Sequence, residues 1–357
     1  MSLNGQTEAT TKTEPAGTRV HFNALDGLRG LMAIGVIVAH VNLEWFPGAH
    51  IMMDVFFVIS AFLITFSLKR GIEKRQTIPL LNFWKRRLLR LYPALITVVV
   101  SYLLLASLIV NNMWPLVKDG LHSLLYISNF TKLHNYNFPH FFGHTWSLGI
   151  EEQFYLAWPI FLVCILKIDT LWKHRTFLMF AIIFFSATWR YYLYVSGAEW
   201  SRLYYGSETR IDAFVAGGLL AFHWDDLVNF VKKNRFNLLV FQSSIVALSA
   251  AVIFWDTKAS VYFAWQQPVV LLLSSAVIVL LTHNGNGVLQ RFFSHRHLTA
   301  LGVRCYGLYL WHWPLIWLLL GYTDLSKLAI LVIVLPVTFI LTWLMYKYIE
   351  EPILKRR

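Results

Sequence analysis

Charged residues are scarce in this chain of 357 residues. Asp, Glu, Lys and Arg make up only 14% of it, whereas hydrophobic residues make up 57% and aromatic residues 16%. In an ordinary soluble domain about a quarter of the residues are charged. Apolar runs of about 20 residues, the length that crosses a bilayer, recur along nearly the whole chain. The composition excludes an ordinary soluble protein and predicts an all-α fold, a polytopic bundle of membrane helices.

Cysteine is almost absent, and both cysteines, Cys164 and Cys305, lie inside apolar runs. The sequence therefore contains neither a disulfide framework nor a thiolate metal site. Four histidines lie between the predicted third and fourth spans, and they are His122, His134, His140 and His144. Their spacing matches no strong ligand pattern, and no cysteine or carboxylate lies among them. We expect no bound metal.

We also expect no cleavable signal peptide. Residues 1–22 are polar, and they lack the basic start, apolar stretch and small-residue cleavage site of a secretory signal. We interpret them as a polar cytoplasmic tail. Residues 23–352 are expected to form one membrane domain, and residues 353–357 a short basic cytoplasmic tail. We expect no soluble domain of useful size after the first or the last span.

The apolar runs predict about ten spans. These are residues 25–43, 51–68, 91–110, 146–166, 176–195, 208–224, 236–255, 262–282, 303–320 and 327–349. The segment between the third and fourth spans has an apolar middle, residues 121–130, that is too short to cross a bilayer. We expect it to lie at the membrane surface or to re-enter the membrane.

The basic residues predict the orientation of these spans. With the N-terminus in the cytoplasm, only four of the 31 Lys and Arg fall in outer loops, namely Lys118, Lys132, Arg202 and Lys258. This asymmetry is typical of the positive-inside rule, so both termini are predicted to be cytoplasmic. It also accounts for the net charge of +12, which in a soluble protein would suggest nucleic acid. We expect a multi-pass protein of the inner (plasma) membrane that contacts lipid and binds no nucleic acid.

The first apolar run carries Arg29 and His40, eleven residues apart. In a helix this spacing returns a side chain to within about 20° of its starting direction, displaced by about 16 Å along the axis. Ionisable side chains inside a span are costly unless they face protein or water, so they indicate a functional site. A neutral imidazole can take a proton from a hydroxyl as a general base. The alternative is a structural histidine that is hydrogen-bonded to a neighbouring carbonyl.

A basic stretch precedes the third span. Arg87 and Arg90 are three residues apart, which makes them neighbours on a helix, and Arg86 lies beside them. Paired guanidinium groups bind phosphate with two parallel hydrogen bonds, so this end of the stretch suits a phosphate-bearing donor in the cytosol. The lysines and arginines of residues 69–75 are better interpreted as an anchor against anionic lipid.

Three acidic residues and a further arginine also lie inside apolar runs. Glu151 and Glu152 lie in the fourth predicted span, and Arg210 and Asp212 lie in the sixth. Such groups need polar partners or water. Two roles are open for Glu151: an ion pair with an arginine of another span, for which Arg210 is a candidate, or direct catalysis. The neighbouring Gly217 and Gly218 are expected to allow close helix packing.

Six motifs in chain order resemble the acyltransferase-3 family of integral membrane acyltransferases, from about residue 22 to residue 352. They are LDGLRG at 25–30 followed by His40, DVFFVISAFLI at 54–64, RRLLRLYP at 86–93, TWSL at 145–148 with EEQFY at 151–155, RID at 210–212 and YGLYLWH at 306–312. Each motif is weak alone, but six in this order are specific. One departure is Ala61, where the family commonly has glycine, and its methyl group is expected to narrow a helix contact or the pocket.

The resemblance implies an enzyme that transfers an acyl group, usually acetyl, from cytoplasmic acyl-CoA to a sugar hydroxyl. It implies that Arg29 and His40 are the essential pair, that Arg87 and Arg90 serve the donor, and that Glu151 is a functional acid. Further candidate site residues within the matching motifs are Asp26, Arg86, Trp146, Ser147, Arg210 and Asp212. Some relatives carry a hydrolase-like domain after the spans. This sequence shows none, so the membrane part is expected to act alone.

These inferences combine into a hypothesis of a membrane O-acetyltransferase. The phosphates of acetyl-CoA bind Arg87 and Arg90, and His40 activates an acceptor hydroxyl or carries the acyl group transiently. The acceptor is expected to be a carbohydrate or lipid-linked glycan of the bacterial surface, with lipopolysaccharide O-antigen favoured. Its specificity is expected to lie in the aromatic outer stretch, residues 126–146. The alternative functions are a transporter or flippase for a lipid-linked sugar or acylated product, and a membrane scaffold.

Overall fold

The structure is a computed structural model that describes residues 21–133, 141–283, 285 and 287–355, apart from the side chain of Arg75. These residues form helices and no strand, which confirms the all-α prediction. Most of the predicted N-terminal tail, two residues of the C-terminal tail, His134 and His140 lie outside the described residues.

Eighteen α-helices are found in the described residues. They are α1 Asn23–Val41, α2 Ile51–Arg75, α3 Leu80–Ala106, α4 Trp114–Leu124, α5 Ser128–Leu133, α6 Trp146–Leu166, α7 Asp169–Lys173, α8 Arg175–Val195, α9 Trp200–Tyr205, α10 Ile211–Phe222, α11 Trp224–Lys233, α12 Arg235–Phe254, α13 Gln267–Thr282, α14 Val288–Phe293, α15 Arg296–Val303, α16 Cys305–Tyr322, α17 Lys327–Met345 and α18 Glu351–Lys355. Two π-helical turns, Tyr262–Gln266 and Tyr346–Glu350, precede α13 and follow α17.

Eight helices of the described chain are long and apolar enough to cross a membrane, compared with the predicted ten. The predicted sixth span forms α10, which has 12 residues and is too short to cross a bilayer. The predicted ninth span forms α16, whose 18 residues include glycine, tyrosine, tryptophan and His312 and are therefore less apolar. The protein is a multi-pass membrane protein, and the cytoplasmic position of both termini stays a prediction.

The helices differ in how much they face the protein. In α2, 78% of the most apolar window is buried, whereas in α8 the share is 17%. A helix that is apolar all round and mostly exposed is suited to lipid, while one that is mostly buried belongs to the core. Helix α2 therefore lies at the centre of the bundle and α8 lies at its periphery.

The most extensive contact between two helices of the described residues joins α2 to α10. A Cβ atom added at Gly217 of α10 would lie 2.9 Å from the Ala61 side chain and still nearer the backbone carbonyl of Val58 on α2. The prediction that Gly217 serves close packing is confirmed. Ala61 is fully buried at this contact. Its methyl group therefore lies in the contact between α2 and α10 and does not line the cavity described below.

Hydrogen bonds fix the outer segment between α3 and α6. Asp119 of α4 accepts a hydrogen bond from the backbone N–H of Phe142 through Oδ2 at 2.7 Å. Burial raises the pKa of the Asp119 carboxyl. The hydroxyl groups of Ser123, Ser128 and Thr145 form a buried cluster with separations of 2.9 to 3.3 Å. These contacts hold the turn before α6, which carries His144.

The contact at Gly217 leads to a stability prediction. Gly217→Ala is expected to lower the free energy of unfolding of the detergent-solubilised protein by about 1–3 kcal/mol, because an added methyl group overpacks the α2–α10 contact. Gly71→Ala in α2 is the control, since a Cβ atom there meets nothing within 4 Å. Alanine in an open helical position stabilises by about 0.5–1 kcal/mol. Equal effects of the two changes on the unfolding temperature would contradict the packing argument.

Candidate active site

A cavity of about 280 Å³ opens at the end of α1 that carries His40. We call it the outer cavity. Its polar and aromatic lining residues are His40, His50, Lys132, His144, Trp146, Tyr204, Tyr205 and Trp313. All of them lie in the half of the molecule that the charge distribution assigns to the outer side. The lining holds four basic groups and no acid.

His40 reaches this cavity from the last turn of α1. Its Nδ1 atom lies 2.8 Å from Nε2 of His312 on α16, and the two rings lie side by side, nearly coplanar, with centres 5.0 Å apart. The Trp313 ring contacts the His40 ring edge to face at 4.6 Å. His312 is fully buried, and its Nδ1 atom lies 3.2 Å from the backbone carbonyl of Leu308. The His40 ring is therefore held on one side by hydrogen bonding and on another by aromatic packing.

A third histidine, His144, approaches the same pair. The ring of His144 lies edge to face with His312 at 5.4 Å and next to Tyr309 at 5.1 Å. The Tyr309 hydroxyl donates a hydrogen bond to the backbone carbonyl of His144 and lies 2.7 Å from the Ser147 hydroxyl. Ser147 is thus placed behind the cavity wall, and Tyr309 connects α16 to the start of α6.

The other basic groups of the cavity are also partly desolvated. Burial lowers the pKa of Lys132 to about 8 and the pKa of His50 to about 4. His50 lies 2.8 Å from the Thr257 hydroxyl, which itself donates to the carbonyl of Pro47. The His50 Nδ1 atom is therefore the donor to Thr257. Near neutral pH His50 is an uncharged ring, and Lys132 is the cation of this lining.

Trp146 supplies an aromatic wall. It is buried, lines the cavity and contacts Tyr204 at 4.5 Å and Tyr205 at 5.1 Å between ring centres. Aromatic side chains combine a large apolar face with a polar handle, which suits ligands with both kinds of surface. Residues 134–140 of the predicted specificity stretch lie outside the described residues, whereas Lys132, His144 and Trp146 line the cavity.

Three arginines meet further along the bundle, toward the end of α1 that carries Arg29. We call Arg29, Arg87 and Arg90 the arginine cluster. Arg90 is exposed, and its electrostatic neighbours include Arg29 and Arg87. Arg29 Nη1 lies 3.3 Å from Asp26, one turn earlier on α1, and Asp26 lies 2.9 Å from His21. Arg86 is exposed and lies one turn before Arg90 on α3.

Arg87 is already in contact with α6. Its Nε atom lies 3.5 Å from Glu152 Oε1, and its guanidinium group lies 3.4 Å from the centre of the Tyr155 ring. Glu151 accepts hydrogen bonds from the Ser60 hydroxyl at 3.2 Å and the Tyr155 hydroxyl at 3.3 Å. A phosphate that binds Arg87 must therefore compete with the Glu152 carboxylate.

Glu151 lies near the arginine cluster. Its carboxylate interacts electrostatically with Arg29 and Arg87, and Tyr309 beside His144 interacts electrostatically with Glu151. An ionisable group inside a membrane bundle indicates a functional site.

Arg210 and Asp212 lie elsewhere than predicted. Arg210 pairs with Asp54 at 2.7 Å instead of Glu151, and Asp212 pairs with Arg190 at 2.7 Å. Tyr262 donates a hydrogen bond of 2.5 Å to Asp54. Both ion pairs are almost completely buried among α2, α8, α10 and the π-helical turn before α13. The proposed pairing of Arg210 with Glu151 is wrong, and these four charges form a structural core.

The structure thus divides the predicted site residues into three groups, apart from Arg86, which is exposed one turn before Arg90 on α3. His40, Trp146 and Ser147 belong to the outer cavity or its wall, while Asp26, Arg29, Arg87, Arg90 and Glu151 surround the arginine cluster. Arg210 and Asp212 belong to the buried core. Sequence reasoning gave no role to His312 and Tyr309, although both lie in the last of the six motifs. It also missed His50 and Tyr204, for which the sequence offers no signal.

A family model described as an acyltransferase domain matches residues 22–347. The chain belongs to the acyltransferase-3 family. This membership confirms the resemblance drawn from the six motifs and favours an enzyme over a transporter or a scaffold.

Several relatives are similar over almost the whole chain. The peptidoglycan O-acetyltransferase OatA of Listeria monocytogenes is 36% identical over 95% of this chain and 56% of its own length. The O-acetyltransferase OatA of Staphylococcus aureus is 30% identical over 94% of this chain and 58% of its own length. The putative peptidoglycan O-acetyltransferase YrhL of Bacillus subtilis is 30% identical over 93% of this chain and 55% of its own length. No solved structure shows a significant match. The chain spans about half the length of the curated relatives it matches.

The buried core leads to a second stability prediction. Asp54→Asn is expected to destabilise the protein by about 3–5 kcal/mol, because it leaves the buried Arg210 without its counter-charge. The measurement is the temperature at which the detergent-solubilised protein loses its monodisperse elution peak. Asp225→Asn is the control, because Asp225 pairs with Lys69 while its side chain is 66% exposed. Such pairs contribute about 0–1 kcal/mol. A similar loss in both variants would contradict the structural role.

Proposed function

We propose that the protein is a membrane O-acetyltransferase that moves an acetyl group from acetyl-CoA on the cytoplasmic side to a peptidoglycan hydroxyl on the outer side of the plasma membrane. One observation carries this proposal. Helix α1 bears Arg29 of the arginine cluster near one end and His40 of the outer cavity at the other, about 16 Å apart along its axis. Family membership and the names of the relatives support the chemistry.

Peptidoglycan replaces the lipopolysaccharide O-antigen that we favoured from the sequence. The relatives from Listeria monocytogenes and Bacillus subtilis carry peptidoglycan in their names, whereas none of the three relatives above carries lipopolysaccharide. The aromatic wall of the outer cavity supports a sugar acceptor, because rings such as Trp146 and Tyr204 offer flat apolar faces and polar edges.

In the proposed reaction the donor enters at the arginine cluster. Arg90 and Arg87 hold the phosphate groups of acetyl-CoA, and Arg86 lies on the same face of α3, one turn nearer its start. The phosphate displaces Glu152 from Arg87, a contact of 3.5 Å between side chains that are about one fifth exposed. The acylated arm then extends along α1 toward His40.

His40 acts as the general base in this scheme. The acceptor hydroxyl gives its proton to His40, its oxygen bonds to the thioester carbonyl carbon, and the carbon–sulfur bond breaks. The departing thiolate takes the proton back, so free CoA thiol and an acetyl ester are formed. His40 lies in the last turn of α1, where the helix dipole favours the imidazolium that forms transiently. In the alternative form of this scheme, His40 carries the acetyl group transiently as an acetyl-histidine intermediate.

A transfer assay tests the function and the role of His40 together. Membranes that contain the protein are incubated with labelled acetyl-CoA and peptidoglycan, and label is expected in the peptidoglycan only when the protein is present. His40→Ala is expected to lower this transfer by about 10²-fold or more, the range that a general base supplies.

His283→Ala is the matched control for the His40 variant. His283 is a buried histidine that follows α13, and its ring hydrogen-bonds to the backbone carbonyl of Leu280, away from the outer cavity. This control is expected to keep the wild-type transfer rate at equal amounts of membrane-inserted protein. If His40→Ala transfers acetyl groups at the wild-type rate, His40 is not the general base. If the wild-type protein places no label in any glycan, the proposed function is wrong.

A second experiment tests the donor site. Arg90→Ala is expected to raise KM for acetyl-CoA by roughly 10-fold or more, because a hydrogen bond to a charged group contributes about 1.5–3 kcal/mol. The KM for acetyl-pantetheine, which lacks the nucleotide phosphates, is expected to stay unchanged. Lys85→Ala is the control, since Lys85 is exposed on the same helix and differs from Arg90 by about 140° in direction. Equal increases for both donors would contradict phosphate binding by Arg90.

A further inference from the structure

The hydrogen bonds around His312 determine where its proton lies. A backbone carbonyl can only accept, so the Nδ1 atom of His312, 3.2 Å from the carbonyl oxygen of Leu308, must carry the hydrogen. His312 is fully buried, and no carboxylate of the described residues hydrogen-bonds to its ring, so the neutral form is the one that this site accommodates. In a neutral imidazole the other nitrogen is an acceptor. Nε2 of His312 therefore presents a lone pair.

This assignment fixes the proton of His40 in turn. The lone pair of His312 Nε2 faces His40 Nδ1 at 2.8 Å, so Nδ1 of His40 must be the donor. The hydrogen bond made by one ring nitrogen sets the state of the other. His40 Nε2 consequently carries a lone pair, and because Nδ1 is occupied, Nε2 is the nitrogen available to the outer cavity.

His312 itself is not part of the cavity lining, whereas His40 is. A ligand in the cavity can therefore touch His40 but not His312. The two rings are nearly coplanar, with 12° between their planes, as a direct hydrogen bond between ring nitrogens requires, and the edge contact with Trp313 restricts rotation of the His40 ring as well. The carbonyl that anchors the pair belongs to the preceding turn of α16, so the orientation depends on a regular helix and not on a loop.

We propose that His312 is a positioning residue that holds His40 with a proton on Nδ1 and a lone pair on Nε2 directed to the outer cavity. The state of the His40 ring follows from the hydrogen bonds alone. Its catalytic consequence rests on the proposed function, since only a base that accepts a proton from a substrate hydroxyl needs this lone pair in place.

The test compares His312→Gln with His312→Leu. A glutamine side chain can bring an amide oxygen near the position of Nε2 and can still accept from His40 Nδ1, whereas leucine has no acceptor. The protonation of each ring nitrogen is read by NMR on the ¹⁵N-histidine-labelled, detergent-solubilised protein. The resonances of His40 are those that disappear in His40→Gln. His283→Leu controls for the removal of a buried histidine outside this pair.

We expect wild-type His40 to show a protonated Nδ1 and an unprotonated Nε2, and His312→Leu to populate the opposite tautomer. A wild-type His40 with a protonated Nε2 would overturn the proposal, whether or not the protein transfers acetyl groups. If the wild-type protein transfers no acetyl group, the proposed function fails while the NMR result still decides the tautomer.

In the transfer assay, His312→Leu is expected to lower kcat by about 10²-fold with little change in KM, since a misdirected base costs rate without loss of binding. His312→Gln is expected to recover most of this loss, and His283→Leu to resemble wild type. Equal activity of the glutamine and leucine variants, at either a high or a low level, would overturn the positioning role. Each variant must elute as a monodisperse peak before its activity is compared. If His312→Leu does not, the proposal is decided by the activity of His312→Gln and by the wild-type NMR spectrum.

Discussion

The free-energy cost of removing charge from water governs this structure. An unpaired ion inside an apolar bundle is too costly to persist, so each buried charge must have a close opposite charge or several hydrogen bonds. Asp54 with Arg210 and Asp212 with Arg190 meet this demand at 2.7 Å with side chains that are at most 1% exposed. The helices that carry these four residues cannot slide past one another without separating the pairs. The central bundle around α2 is thereby fixed in register.

The same constraint distinguishes structural charges from candidate functional ones. In the core the ion pairs are short and enclosed, whereas Arg29 with Asp26 and Arg87 with Glu152 are 3.3 and 3.5 Å apart, with side chains 11–21% exposed. A longer and partly hydrated pair is weaker, so an incoming anion can replace the carboxylate at a smaller cost. A donor rich in phosphate groups is such an anion. Weak pairing at the arginine cluster is therefore what a binding site for a charged substrate requires, while strong pairing in the core is what a scaffold requires.

Structural features that depend on composition or on residue spacing within one helix could be predicted from the sequence. Apolar runs predicted the all-α membrane fold, and eight of the ten predicted spans correspond to long apolar helices of the described chain. Contacts between helices were harder to predict. Arg210 had several possible acidic partners, and no sequence rule selects Asp54. The partner of His40 lies 272 residues further along the chain, so the hydrogen bond to His312 depends on how α1 packs against α16.

Helix α1 separates the two candidate sites by a distance that the chemistry must bridge. Arg29 and His40 lie about 16 Å apart along its axis, so one bound phosphate group cannot contact both. In the proposed reaction the acyl group must cross this distance, and helix α1 keeps its start and end points at a constant separation. Proton transfer then belongs to the histidine end of α1, where the proposed acceptor enters, and donor binding belongs to the arginine end. This division explains why one helix would carry both an arginine and a histidine in an otherwise apolar sequence.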